Sequence, residues 1–215
     1  TIVIKKAGIQ TSVQDIGRFG SSGMGVQVSG AMDSFSLQVA NILVGNKFSD
    51  PGLEIAITGP ILEFKSDAII AITGASFELM LDGKLLPMYR PILVFAGSKL
   101  SFGTRQKGSR AYLSIKGGFD VPSVLGSSST NLLEGFGGYY GRVLKTGDEL
   151  HSKNLANLKI SQAYRTGKVF YSPPWGARNL VSERLKNPQV IRFIPTEFWN
   201  KLSFKPTLPD NLLIF

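Results

Sequence analysis

The sequence predicts a mainly β protein, arranged as a sandwich or a barrel. Through the first half of the chain, short runs of apolar and β-branched residues alternate with turn residues. The dipeptide Asp82-Gly83 lies between two such runs and is typical of a type I′ hairpin turn. Turn signals recur roughly every 8 to 12 residues, a spacing that favours a sandwich or barrel over alternating strands and helices. The predicted strands are 2–5, 53–57, 61–64, 68–73, 77–81, 92–95, 99–102 and 111–115, with 168–172 and 189–194 further on.

One helix is expected to interrupt the strands, at about residues 33–45. Asp33 or Ser34 is suited to cap its start, and Gly45 is a typical residue just past a helix end. Apolar side chains cover most of the helix surface between these points, so we expect it to be well buried. Asn41 lies among them, and a buried amide must find hydrogen-bond partners, so we expect it to brace a neighbouring loop.

The composition narrows the chemistry that the chain can perform. It has no cysteine and a single histidine, His151, which argues against disulfides, cysteine nucleophiles, serine–histidine triads and multi-histidine metal sites. We therefore predict no metal site, and expect catalysis to depend on carboxylates, hydroxyls, Arg, Lys and backbone groups. The longest apolar runs are far shorter than the roughly 20 residues that a bilayer requires. No signal-peptide pattern opens the chain, and we expect a cytoplasmic protein that does not enter a membrane.

A change in composition predicts a domain boundary near residue 150. Residues 1–150 hold 14 Lys and Arg against 12 Asp and Glu, whereas residues 151–215 hold 10 against 3. Of the 24 glycines, 22 fall in the first segment. We therefore predict one domain at 1–150, followed by a linker and part of a second domain at 151–215. The basic charges of the second segment are dispersed, so nucleic-acid binding is not expected.

Two glycine-rich regions carry the candidate site. Residues 14–33 combine five glycines with Asp15, Arg18, Ser29 and Asp33. Clustered glycine lets the backbone approach a ligand, and an Arg beside carboxylates forms either an anion clamp or an ion pair. The spacing does not fit a phosphate-binding fingerprint. One alternative is a long crossing loop, tied internally from Asp15 to Arg18. The second region, 116–142, offers hydroxyls and backbone amides that would line a polar pocket or form a flexible loop.

Together these segments resemble one family. The family pattern Thr-Val-Gln-Asp-x-Gly-Arg-x-Gly is matched by residues 12–20, with Ser12 in place of Thr. Further matches follow in the family's order at 29–33, 40–46, 53–54, 58–60, 73–75, 108–113, 116–118, 125–127, 129–130, 135–138 and 147–148. On these matches, the first 150 residues resemble the family of biotin-dependent carboxyltransferases and 5-oxoprolinase C subunits.

The resemblance implies a cyclophilin-like β-barrel, usually present as two related domains. Relatives include KipA, allophanate hydrolase subunit 2 and the carboxyltransferase part of urea carboxylase. Two departures stand out: Ser128 occupies a position where the family usually has Arg, and the later family segments are absent. We therefore expect the chain to form one wall of a shared site.

From this resemblance we predict that the chain is part of an ATP-dependent 5-oxoprolinase, which opens pyroglutamate to glutamate. The expected partners are the sister B subunit, which is KipI-like, and the A subunit of the same enzyme. Asp15 and Asp33 are the predicted catalytic residues. No cofactor is assigned to this chain itself, and ATP is expected to act in the complex. The predicted substrate-binding residues are Arg18, Ser29, Asn41, Arg110, Gly117 and Gly118.

Two alternatives remain open. In the first, the chain transfers a carboxyl group to urea or another amide, from carboxybiotin carried by a partner. In the second, it is a KipA-like regulatory module that binds a KipI-like kinase inhibitor.

Overall fold

A computed structural model describes residues 1–153, 167, 169–178 and 201. These residues form ten strands and one complete α-helix, which confirms the mainly β prediction. The predicted strand at 189–194 lies outside the described residues, and the boundary near 150 stays a prediction. The strands are β1 Ile2–Lys6, β2 Gln10–Gln14, β3 Gly52–Ala56, β4 Ile61–Phe64, β5 Ala68–Leu81, β6 Lys84–Leu85, β7 Ile92–Val94, β8 Lys99–Ile115, β9 Glu149–Leu150 and β10 Phe170–Tyr171.

The strands form one antiparallel sheet around the two long strands β5 and β8. The hydrogen-bonded order is β10-β7-β5-β8-β4-β1-β9, with β3 also on β8 and β2 on β3. The predicted hairpin is present: Asp82 and Gly83 both have positive φ, 46° and 79°, between β5 and β6. Strand β10 lies beyond the predicted boundary, yet it pairs with β7 of the same sheet.

Strands β5 and β8 cross an irregular stretch at their middle. The register between them shifts repeatedly from Gly74 to Leu79. Gly74 and Gly108 have φ of 82° and 82° there, and a Cβ on Gly74 would lie 2.5 Å from the Arg110 carbonyl oxygen. Only glycine fits such an approach without a backbone shift. The bulges let each long strand change direction and pair with different partners along its length.

The predicted barrel is not closed within the described part of the chain. Strands β9 and β10 lie at opposite ends of the sheet and do not pair with each other. The reason is the length of β8, which pairs with β4 near Ser101 and with β3 near Arg110. The sheet therefore branches along one edge of β8 instead of continuing around a ring.

The one α-helix that lies wholly within the described residues is α1, Ser34–Leu43. Asp33 caps it as predicted, because its carboxylate accepts a hydrogen bond from the Ser36 amide at 3.0 Å. The helix packs on β5 and β8, but only one face is covered. Phe35 and Ile42 on the other face are 54% and 64% exposed. The expectation of a well-buried helix was therefore wrong for that face.

The hydrophobic core lies inside the curved sheet and draws on nearly every strand, through residues such as Phe64 of β4, Leu79 of β5 and Leu113 of β8. Within the described ranges, none of the helical structure has the length and apolar character needed to span a bilayer.

Candidate functional site

The first glycine-rich region folds back on itself beside β2. The Arg18 amide donates to the Val28 carbonyl at 2.8 Å, and the Ala31 amide donates to the Asp15 carbonyl at 2.9 Å. Ser29 has a positive φ of 54°, and its carbonyl oxygen lies 3.1 Å from where a Cβ would stand on Gly17. We call residues 15–33 the signature loop. Its two limbs pack too closely for side chains at their contact.

The Asp15 carboxylate holds a second loop, residues 124–130, which we call the serine loop. Oδ1 of Asp15 accepts hydrogen bonds from the Gly17 amide at 2.8 Å and the Ser127 hydroxyl at 2.7 Å. The same carboxylate accepts from the Ser129 hydroxyl and, through Oδ2, from the Ser128 amide. Four donors around a buried carboxylate satisfy it fully. Asp15 therefore stabilises the contact between the two loops.

Arg18 holds the same serine loop from another side. Its side chain is 1% exposed; Nε donates to the Val124 carbonyl at 3.3 Å and Nη2 to the Ser129 carbonyl at 2.8 Å. The guanidinium carbon lies 4.7 Å from the centre of the Phe136 ring, within cation–π range. Among the described residues Arg18 forms no ion pair with Asp15 or any other carboxylate. Asp15 and Arg18 therefore do not bind each other as the sequence suggested; each forms hydrogen bonds with the serine loop instead.

A cleft of about 440 Å³ opens where these loops meet, and we call it the signature cleft. Its volume suits a small molecule. Both glycine-rich regions contribute, together with the turn after α1 and a lysine beyond β9. The polar and charged residues that line it are Asp15, Ser49, Asp50, Ser123, Ser128 and Lys153.

Two asparagines fix the rear of this cleft. The side-chain amide of Asn41 donates to the Asp50 carbonyl at 2.7 Å. The side-chain amide of Asn46 donates to the Asn41 Oδ1 at 3.3 Å and to the Ile115 carbonyl at 2.8 Å. The Asn46 oxygen accepts from the Gly117 amide at 2.8 Å. Asn41 therefore braces a loop, as expected. These hydrogen bonds connect the end of α1, the Asp50 turn and residues 115–118.

Asp33 and Arg110 belong to a different cluster, at the start of α1. Glu54 of β3 accepts from the Met32 amide and from the Tyr112 hydroxyl, both at 2.8 Å, and lies 3.4 Å from Arg110 Nε. The Tyr112 hydroxyl also accepts from the Asp33 amide at 2.7 Å. Burial, and next the nearby Glu54 carboxylate, raise the pKa of Tyr112 well above its usual range. This cluster anchors the end of the signature loop to the sheet.

Replacing Tyr112 with Phe tests that anchor. We expect the free energy of unfolding at neutral pH to fall by about 1–3 kcal/mol, because the buried Glu54 oxygen and the Asp33 amide lose a partner. A raised folded-state pKa means that the wild type loses stability as pH rises above the unfolded tyrosine pKa of about 10. Chemical denaturation from pH 7 to 11 should show a shallower alkaline loss for Tyr112→Phe. Equal slopes for the two proteins would contradict this assignment.

A second and larger cleft, of about 630 Å³, is lined by residues 120–122, 135–141 and 149–151. We call it the tyrosine cleft, after Tyr139 and Tyr140, whose rings meet edge to face at 4.8 Å. Nearby, the Arg142 guanidinium pairs with Asp148 through two hydrogen bonds and holds the pKa of that carboxyl below its usual range. His151 lines this cleft, so the one histidine is not at the signature cleft.

The structure thus divides the predicted site residues. Asp15 lines the signature cleft, Arg18 lies behind it, and Ser29, Asn41, Gly117 and Gly118 support its walls. Asp33 and Arg110 are in the Glu54 cluster. The direct catalytic and binding roles assigned to these residues stay predictions. Sequence reasoning missed Asn46, Glu54, Asp50 and Lys153. The first two stand inside matched segments, which was a usable signal, whereas the last two had none.

Comparison with known proteins gives a consistent picture. Residues 24–204 match the family model described as the carboxyltransferase domain, subdomain A and B. The chain is 48% identical over 150 residues to urea amidolyase of Saccharomyces cerevisiae, covering 69% of this chain and 8% of that protein. It is 44% identical over 147 residues to the C subunit of 5-oxoprolinase from Escherichia coli, covering 68% of this chain and 47% of that protein. The chain therefore spans about half of the 5-oxoprolinase C subunit and under a tenth of urea amidolyase.

A solved structure shows the same fold. The crystal structure of Kluyveromyces lactis urea carboxylase matches with a TM-score of 0.70 and 44% identity, over 72% of this chain and 14% of that one. Both enzyme types named among the relatives are thus similar to this chain at comparable identity.

Proposed function

The chain belongs to the carboxyltransferase domain, subdomain A and B, family, and on this premise we propose that it supplies one wall of an active site for a small amide or lactam. The leading assignment is an ATP-dependent 5-oxoprolinase, acting with its sister subunits on pyroglutamate. The single observation that carries the proposal is the meeting of the signature loop, the serine loop and the Asp50 turn at one cleft. The signature loop and the serine loop contain segments on which the family resemblance depends.

The chemistry of the signature cleft supports an amide substrate activated by a partner. The cleft presents carboxylates, an ammonium group and hydroxyls, while the chain has no cysteine and its one histidine lies elsewhere. Such groups can bind and orient an amide, but an amide is a poor electrophile unless it is activated. Coupling to ATP in another subunit would supply that activation. In this proposal Asp15 and Arg18 shape the wall, since their polar atoms already hold the serine loop.

Carboxyl transfer to urea is the second candidate. The observation that favours it is the 48% identity to urea amidolyase, together with the fold shared with urea carboxylase. It requires a biotinylated carrier on a partner, and avidin would then block the reaction. Both candidates place an amide group in the same cleft.

Reconstitution tests the proposal. The chain is expressed with its sister subunits, and release of glutamate from 5-oxoproline is measured with and without ATP. We expect ATP-dependent release that disappears when this chain is omitted. A parallel assay supplies urea, bicarbonate, ATP and a biotinylated carrier, with and without avidin. Activity only in the second assay would select carboxyl transfer, and activity in neither would contradict the proposed function.

A further inference from the structure

Asp50 and Lys153 meet at the signature cleft although they are distant in the chain. Gly118 joins them. Its carbonyl accepts a hydrogen bond from the Lys153 amide at 3.2 Å, and the position of a Cβ on Gly118 lies 3.5 Å from the Asp50 Cβ. Both residues line the cleft. Both residues therefore lie beside Gly118 at the wall of the cleft, and one carries a carboxylate and the other an ammonium group.

Asp50 and Lys153, which both line the cleft, have hydrogen-bonding capacity to spare. Oδ2 of Asp50 accepts from the Lys47 amide at 2.9 Å, and its Oδ1 accepts no hydrogen bond from the described residues. Lys153 is exposed and forms no ion pair within the described part of the chain. Asp15, by contrast, already accepts four hydrogen bonds. Ligand recognition in this cleft thus falls to Asp50 and Lys153.

The backbone keeps both residues in place. Asn41 holds the Asp50 carbonyl at 2.7 Å, and the Asp50 amide closes a turn onto the Lys47 carbonyl at 3.0 Å. Residues 115–118 are fixed by Asn46. A carboxylate on a braced turn loses little entropy when it binds a ligand. The arrangement is therefore suited to selecting a ligand by geometry as well as by charge.

The charges favour one chemical class of ligand. An amide group offers an N–H donor beside a carbonyl acceptor, so a carboxylate and an ammonium group side by side complement it. A ligand whose only polar group is anionic would leave Asp50 without a donor, and a ligand whose only polar group is cationic would leave Lys153 without an acceptor. A lactam and a urea both carry the N–H and carbonyl pair.

We propose that Asp50 and Lys153 bind the amide group of the substrate in the signature cleft, with Asp50 accepting from the amide N–H and Lys153 donating to the carbonyl oxygen. This assignment rests on the proposed function, and in it Asp50 and Lys153 recognise the amide group. Hydrogen bonds that involve a charged group contribute about 1.5–3 kcal/mol. Losing either one should therefore weaken amide binding by roughly 10- to 150-fold.

Kinetics in the reconstituted complex tests the roles with matched variants. Asp50→Asn keeps an oxygen for the Lys47 amide, and Lys153→Gln keeps length without charge. We expect each to raise KM for 5-oxoproline at least roughly tenfold, with KM for ATP unchanged. Lys153→Arg should restore much of the affinity. Lys84→Gln, on the exposed strand β6, is the control. KM values for Asp50→Asn and Lys153→Gln equal to that of Lys84→Gln would overturn the inference.

A binding measurement separates this inference from the proposed function. The chain alone, labelled with ¹⁵N, is titrated with 2-pyrrolidinone, a neutral lactam, and with cyclopentanone, which lacks the N–H. We expect the backbone signals of Gly118, Ser128 and Lys153 to shift with the lactam and much less with the ketone, and Asp50→Asn to remove the difference. Equal shifts, or none, would contradict the inference. Lactam-specific shifts without turnover of either substrate would sustain it while contradicting the proposed function.

Discussion

Asp15→Ala is expected to lower the free energy of unfolding by about 3 kcal/mol or more, the largest effect at this site. The carboxylate accepts from the amides of Gly17 and Ser128 and from the hydroxyls of Ser127 and Ser129. Each buried donor left without a partner costs about 1–3 kcal/mol. The hydroxyls can rotate to other acceptors, but the two amides cannot. The serine loop should therefore loosen together with the signature loop.

Denaturant unfolding at pH 7 measures this change. The matched control is Asp120→Ala, an exposed aspartate of the tyrosine cleft with no side-chain hydrogen bond among the described contacts. That control should stay within about 0.5 kcal/mol of the wild type. Hydrogen exchange should also show faster exchange of the Ser128 amide in Asp15→Ala. A stability for Asp15→Ala equal to that of the control would mean that the carboxylate does not hold the loops.

Arg18→Ala is expected to cost about 3 kcal/mol as well. Its guanidinium satisfies the carbonyls of Val124 and Ser129 and packs over Phe136 in a fully enclosed position. Truncation leaves the buried Ser129 carbonyl unpaired among the described residues, removes one of the two donors to the Val124 carbonyl and opens a cavity. Part of the loss should therefore come from packing and part from hydrogen bonds.

Two further variants of Arg18 separate those parts. Arg18→Met keeps most of the packing and removes the hydrogen bonds, while Arg18→Lys keeps the charge and one donor direction. We expect stability to fall in the order wild type, Arg18→Lys, Arg18→Met, Arg18→Ala, measured by thermal and denaturant unfolding. If Arg18→Met were as stable as the wild type, the guanidinium would have no structural role, and its direct contact with a substrate would become the better explanation.

Local features of the fold were predictable from the sequence because they depend on neighbouring residues. The Asp82-Gly83 turn requires positive φ, and Asp33 caps the next few amides of α1. Strand β2 was missed because Thr11, Ser12 and Gln14 break the apolar alternation, yet they are buried and pair with β3. Their pairing with β3 and the hydrogen bond from the Gln14 side-chain amide to the Thr130 carbonyl oxygen join distant parts of the chain, which no local pattern records.

The full lengths of the strands and the closure of the sheet could not be predicted, because they depend on contacts between distant parts of the chain. Strands β5 and β8 were each predicted as two strands, because polar residues or turn formers interrupt the apolar pattern at their middle. In the structure those interruptions are bulges, and they branch the sheet where a closed barrel was expected. Whether a strand bends or ends depends on its partners as well as on its own residues.

The candidate site shows the same division. The segments that carry Asp15, Arg18 and Gly118 were identified, since ordered motif matches point to them. The sequence could not show that Asp15 and Arg18 hold the serine loop, because their partners lie more than a hundred residues away. Asp50 and Lys153 each look like ordinary surface charges until the fold brings them to Gly118.

A crystal structure of the reconstituted complex with 5-oxoproline tests the central claim most directly. The account predicts the lactam in the signature cleft, with its N–H on the Asp50 carboxylate and its carbonyl oxygen within hydrogen-bond distance of Lys153 Nζ. Asp15 and Arg18 should still hold the serine loop behind it. A lactam bound in the tyrosine cleft, or in direct contact with Arg18 after the serine loop has opened, would contradict the account.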